Sequence, residues 1–75
     1  MGKFSVILVK STNQAMRIEH ILNMASISTK LMPVPRYLSS NCGNCVQILS
    51  YEKESVLTVI HKNSIDIDGI AELEG

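Results

Sequence analysis

Apolar and polar positions divide the chain into six segments of alternating character. Phe4-Ser5-Val6-Ile7-Leu8-Val9 is β-branched and apolar toward both faces, as a strand in the middle of a sheet is. Ser11-Thr12-Asn13-Gln14 follows as a capping box, with Ser11 as N-cap and Gln14 reaching back to it. Ala15, Ile18, Leu22 and Ala25 then recur at helical spacing with Ile21 beside them, while Arg17, Glu19, His20 and Asn23 take the outer arc. This spacing predicts a helix over 12–25. Ile27 to Met32 reads as a second strand, stopped by Pro33 and Pro35. Val46 to Ser50 reads as a third strand, and Glu52 to Lys62 as a second helix with Val56, Leu57 and Ile60 turned inward. Ile65 to Ala71 is the last strand, in which Ile65 and Ile67 alternate with Asp66 and Asp68 before Gly69 permits a bend.

The order β-α-β-β-α-β predicts an α+β fold, the ferredoxin-like sandwich of a four-stranded antiparallel sheet with two helices on one face. A chain of 75 residues accommodates one domain, spanning residues 1–75, with a small core. In this topology the first and second strands run the same way. The turn from strand 1 into helix 1 and the connection from strand 2 to strand 3 therefore lie at the same end of the sheet.

Charge narrows the range of partners. Seven basic and seven acidic residues cancel, so no whole-molecule field draws in nucleic acid or an anionic membrane. One Phe and two Tyr are too few for a base-stacking surface. The apolar run at the amino terminus ends at Lys10 with no small-residue cleavage site behind it, so it reads as a strand and not as an export signal. With no run near twenty apolar residues either, the expected compartment is the cytoplasm, where thiols stay reduced. The helix-free face of the sheet carries Phe4, Val6 and Leu8, which makes a homodimer through that face an expectation.

Chemistry concentrates between strands 2 and 3. The stretch Pro35-Arg36-Tyr37-Leu38-Ser39-Ser40-Asn41-Cys42-Gly43-Asn44-Cys45 holds both cysteines of the chain, an arginine and several short hydroxyl and amide side chains. A loop rich in Ser, Asn and Gly turns backbone N–H groups toward one sulfur, and only a thiolate is a nucleophile. The spacing Cys42-Gly43-Asn44-Cys45 fits a dithiol, half of a metal site, or one reactive cysteine followed by a packed one. A four-ligand metal site needs more donors than this chain offers, since His20 and His61 stand far apart in sequence, so neither metal nor cofactor is expected. By the topology above, the loop approaches the amino terminus of helix 1. There Ser11 and Thr12, with the helix dipole behind them, favour an anion. Candidate site residues are accordingly Cys42 and Cys45 for chemistry, and Arg36, Ser39, Ser40, Gly43, Ser11 and Thr12 for binding.

The run Pro33-Val34-Pro35-Arg36-Tyr37-Leu38-Ser39-Ser40-Asn41-Cys42-Gly43 resembles the proline-arginine, Ser-Ser-x-Cys-Gly signature of small bacterial domains described as putative selenium/sulfur carrier protein-like. The resemblance extends to a first strand, to Ser11-Thr12 with Ala15 and Glu19 opening the helix, and to a closing strand around Gly69. It implies a stand-alone cytoplasmic domain in which Cys42 carries sulfur or selenium between donor and acceptor proteins. Cys45 departs from the pattern, standing where a small apolar residue is expected. If it faces the same turn, a persulfide on Cys42 resolves internally to a disulfide with release of sulfide, and the domain becomes a thiol-disulfide module. If it points into the core, it changes nothing. The remaining alternatives are a docking subunit without chemistry and Cu(I) handling by the cysteine pair.

Overall fold

The computed structural model of the chain describes residues 3–38 and 43–73. Its elements are β1 (Phe4–Leu8), α1 (Thr12–Met24), β2 (Lys30–Pro33), β3 (Asn44–Leu49), α2 (Lys53–Lys62) and β4 (Gly69–Glu72). A single 3-10 turn over Ser50–Glu52 leads into α2. The strands form one sheet in the order β2-β3-β1-β4, with every neighbouring pair antiparallel. This is the ferredoxin-like arrangement, and the expected α+β class holds.

Strand alternation assigns the two faces. Ile7 lies opposite Val46 and Ile70, and Leu31 opposite Val46, so these residues share one face of the sheet. Both helices pack on that face. Ile7, Val9, Val46 and Ile48 join Ala15, Ile18 and Leu22 of α1 and Val56 and Ile60 of α2 in a single cluster. Ser5 is fully buried on this face, and its hydroxyl is satisfied by that of Ser50 at 2.9 Å. The other face carries Phe4, Val6 and Leu8 of β1 against Leu49, Gln47 and Cys45 of β3, with Met32 of β2 beyond Cys45.

Several boundaries differ from the sequence reading, and one backbone motif explains two of them. Each helix closes with a serine in the left-handed region, Ser26 at φ 62° and Ser64 at φ 52°. After α1, the Ile27 amide donates to Leu22 O at 2.9 Å and the Ser26 amide to Asn23 O at 3.0 Å. After α2, Ile65 donates to Ile60 O at 3.1 Å and Ser64 to His61 O at 3.2 Å. These are Schellman closures, and each places a buried isoleucine beneath the helix end against the residue five positions earlier. Ile27 and Ile65 are thus spent on closing helices. β2 therefore starts at Lys30 and not at Ile27, and β4 starts at Gly69, which forms no bend but begins the strand with φ +157°, a conformation open to glycine. Ala25 is exposed because α1 has already ended at Met24.

The prolines do not end β2 where the sequence reading put the stop. Pro33 is its last paired residue, and the Val34 amide extends the hairpin to Gly43 O at 3.0 Å. An edge strand tolerates proline because its missing N–H can face away from the ladder. In α2 the inward positions are Val56 and Ile60 with Val59 packed alongside, whereas Leu57 is half-buried on the flank.

Candidate functional site

The end of the sheet where β1 stops and α1 starts is the one that receives the β2–β3 connection. Asn44, the first residue of β3, donates from Nδ2 to Thr12 Oγ1 at 3.3 Å. The segment before β4 closes the same end, with the Asp68 amide donating to Leu8 O at 2.7 Å and Gln14 Nε2 to the Asp66 carbonyl. Three separate stretches of chain thus meet around the first turn of α1.

The start of that helix is built by its own sequence. Ser11 takes an extended conformation, and its Oγ accepts the Gln14 amide at 3.2 Å while its carbonyl accepts the Ala15 amide at 3.1 Å. The N-cap is as expected, but the reciprocal half of the capping box is replaced. The Gln14 side chain crosses to the Asp66 carbonyl and ties the helix to the segment before β4 instead of reaching back to Ser11. No acidic residue stands in the first turn of α1, so the helix itself places no counter-charge at the positive end of its dipole, while the exposed Asp66 and Asp68 belong to the segment that closes this end of the sheet. Lys10, exposed immediately before the cap, adds a cation there.

Of the residues singled out by sequence, Ser11 and Thr12 stand at the helix start. Arg36 is exposed in the turn Pro35–Leu38, which is closed by the Leu38 amide donating to Pro35 O at 3.0 Å. Gly43 is exposed at the base of the loop, where an added Cβ would meet nothing within 4 Å. Ser39, Ser40 and Cys42 lie outside the described residues. Cys45 is fully buried in β3, flanked across the ladder by Met32 and Leu8, and its Sγ donates to Pro33 O at 3.9 Å. Asn44 and Gln14 were missed as organisers of this end. The signal for Asn44 was present, since the predicted topology already set the residue after Gly43 beside helix 1.

His20 is exposed midway along α1 and His61 is exposed in the last turn of α2. Among the described residues, no three of His, Cys, Asp and Glu gather as a metal site. No described helix is long and apolar enough to cross a membrane. A cavity of about 160 Å³ lies between the start of β2 and the end of β3, lined by Phe4, Thr29, Lys30 and Leu49. It belongs to the opposite end of the sheet from Asn44.

The family model described as "Putative Se/S carrier protein-like" matches residues 4–72, from the first residue of β1 to the last of β4. No curated protein and no solved structure matches the chain.

Proposed function

We propose a function from one premise: the chain belongs to the putative Se/S carrier protein-like family. On this reading the domain is a cytoplasmic chalcogen carrier, and Cys42 is the residue that holds the sulfur or selenium. The thiolate of Cys42 attacks the terminal sulfur of a donor persulfide. A bond forms between Cys42 Sγ and that sulfur, the donor S–S bond breaks, the donor leaves as thiolate, and the proton stays on the transferred sulfur. An acceptor thiolate then attacks the transferred sulfur in the same way and regenerates the Cys42 thiolate. No net oxidation or reduction occurs, so the cycle needs donor and acceptor proteins but no cofactor.

The observation that carries this reading is the bond from Asn44 to Thr12, because it brings the chain two residues after Cys42 against the positive end of α1. A helix amino terminus and the cations Lys10 and Arg36 favour the thiolate, and lowering a thiol pKa from about 8.5 toward 7 raises the ionised fraction at neutral pH from a few per cent to about half. On this reading the hydroxyls of Ser39 and Ser40 and the amide of Gly43 are the donors offered to the thiolate. Cys45 is assigned a packing role, supported by its complete burial and its bond to the Pro33 carbonyl. That assignment separates the carrier from the thiol-disulfide module.

The test is incubation with a cysteine desulfurase and cysteine, followed by intact mass and cyanolysis. The wild-type chain is expected to gain the mass of one sulfur atom, releasable as thiocyanate, and the Cys42→Ala chain to gain none. A wild-type chain that takes up no sulfur from any persulfide donor overturns the reading.

A further inference from the structure

Helix α1 presents a feature on its solvent side that the cysteine end does not use. Met16, His20 and Met24 stand at i, i+4 and i+8, one above another on a single face. That face is open: Met16 is 54 % exposed, Met24 is 76 % exposed, and His20 is exposed between them. The core face of the helix is formed by Ala15, Ile18 and Leu22, so neither methionine contributes to it. Two thioethers flanking an imidazole are a donor set with a definite preference. Thioether and imidazole suit Cu(I) and related soft cations, whereas hard divalent cations require carboxylate or carbonyl oxygen.

The neighbouring residues sharpen the selection. Around His20, the i−3 and i+3 positions are Arg17 and Asn23. Asn23 is engaged elsewhere, its Oδ1 accepting the Thr29 hydroxyl at 3.0 Å. Arg17 offers no lone pair and repels a multiply charged ion more than a singly charged one. No carboxylate stands at i±3 or i±4 from His20.

We propose that Met16, His20 and Met24 form a surface site for a soft monovalent cation of the Cu(I) class. His20 provides the central nitrogen, and Met16 or Met24 provides the sulfur. Side chains four apart on a helix have Cβ atoms about 5–6 Å apart, close enough for an imidazole and a thioether to share one ion. The two methionines are about 12 Å apart along the axis, so they serve as alternative partners for the same histidine. Binding is coordination with displacement of solvent and involves no change of oxidation state. It is independent of the cysteine loop and of the carrier reading.

Silver(I) tests this, as a redox-inert ion of the same charge and softness. The protein is the full chain carrying Cys42→Ser, which removes a competing soft thiol, with methionine methyl and histidine ring signals followed by NMR. One equivalent of silver is expected to shift the Met16 and Met24 methyls and the His20 ring together and saturably, while Met32 stays in place. His20→Ala is expected to weaken binding at least about ten-fold. Met16→Leu and Met24→Leu should each weaken it less than the double variant does. All these positions are exposed, so the variants should keep the wild-type helical circular dichroism. Zinc(II) at the same concentration is expected to leave both methyls unmoved. The proposal is overturned if Met16, Met24 and His20 respond to silver no more than Met32 does, or if His20→Ala binds as tightly as its parent.

Discussion

The two helices of this domain end alike and begin differently. Both finish on a serine in the left-handed region followed by a buried isoleucine, Ser26-Ile27 and Ser64-Ile65, with the same pair of closing hydrogen bonds. At their starts, α1 has a serine cap, a glutamine strut to the segment before β4 and a hydroxyl reached by Asn44. α2 opens from a 3-10 turn with no side-chain cap. Closure repeats because each crossover must turn back toward the sheet and bury an isoleucine as it does so. The elaboration at one start only marks the end of the sheet that receives the cysteine loop.

The comparison is broken most severely at a shared closure. Leu22 is fully buried in the same core cluster as Ile27, whose amide its carbonyl accepts, so Leu22→Ala removes core volume at the closure. We expect a loss of about 2–5 kcal/mol, read by urea denaturation, and Ile60→Ala in α2 should cost a comparable amount. The asymmetric starts should respond unequally. Ser11→Ala is expected to destabilise by about 1 kcal/mol, while Glu52→Ala at the α2 start should change stability by no more than about 0.5 kcal/mol. Equal effects would remove the distinction drawn between them. Relief of the left-handed serines acts in the opposite direction, with Ser26→Gly and Ser64→Gly each expected to stabilise by about 0.5–1 kcal/mol and to raise the melting temperature.

Smallest in stability but most telling for function is Asn44→Ala. Its exposed bond to Thr12 should contribute no more than about 0.5 kcal/mol to folding. If the loop is held at the helix terminus as proposed, alkylation of Cys42 at neutral pH should nevertheless slow. Cys45→Ala gives the complementary contrast: sulfur loading of Cys42 should persist, where a thiol-disulfide module would lose its redox cycle.

The fold was legible because β-branched runs and helical spacing alternate cleanly, and because the order of elements dictates which ends of the sheet coincide. Strand starts were less so. Ile27 and Ile65 carry the right residue type for a strand but follow a serine whose left-handed backbone has no sequence mark as clear as glycine. Gln14 satisfied the capping-box pattern, and only the approach of Asp66 diverted its side chain. The approach of the loop base to helix 1 followed from topology alone, whereas the burial of Cys45 did not, because the residue lies on the face of the sheet away from the helices, between Leu8 and Met32. The start of that strand at Asn44, two residues before the sequence reading put it, brings Cys45 into the paired sheet.

The most direct measurement is the rate of alkylation of Cys42 in the folded chain as a function of pH, followed by mass at the peptide that contains it. The account predicts a fast reaction whose midpoint lies below the ordinary thiol value of about 8.5, toward 7. A slow reaction with its midpoint at or above that ordinary value contradicts it.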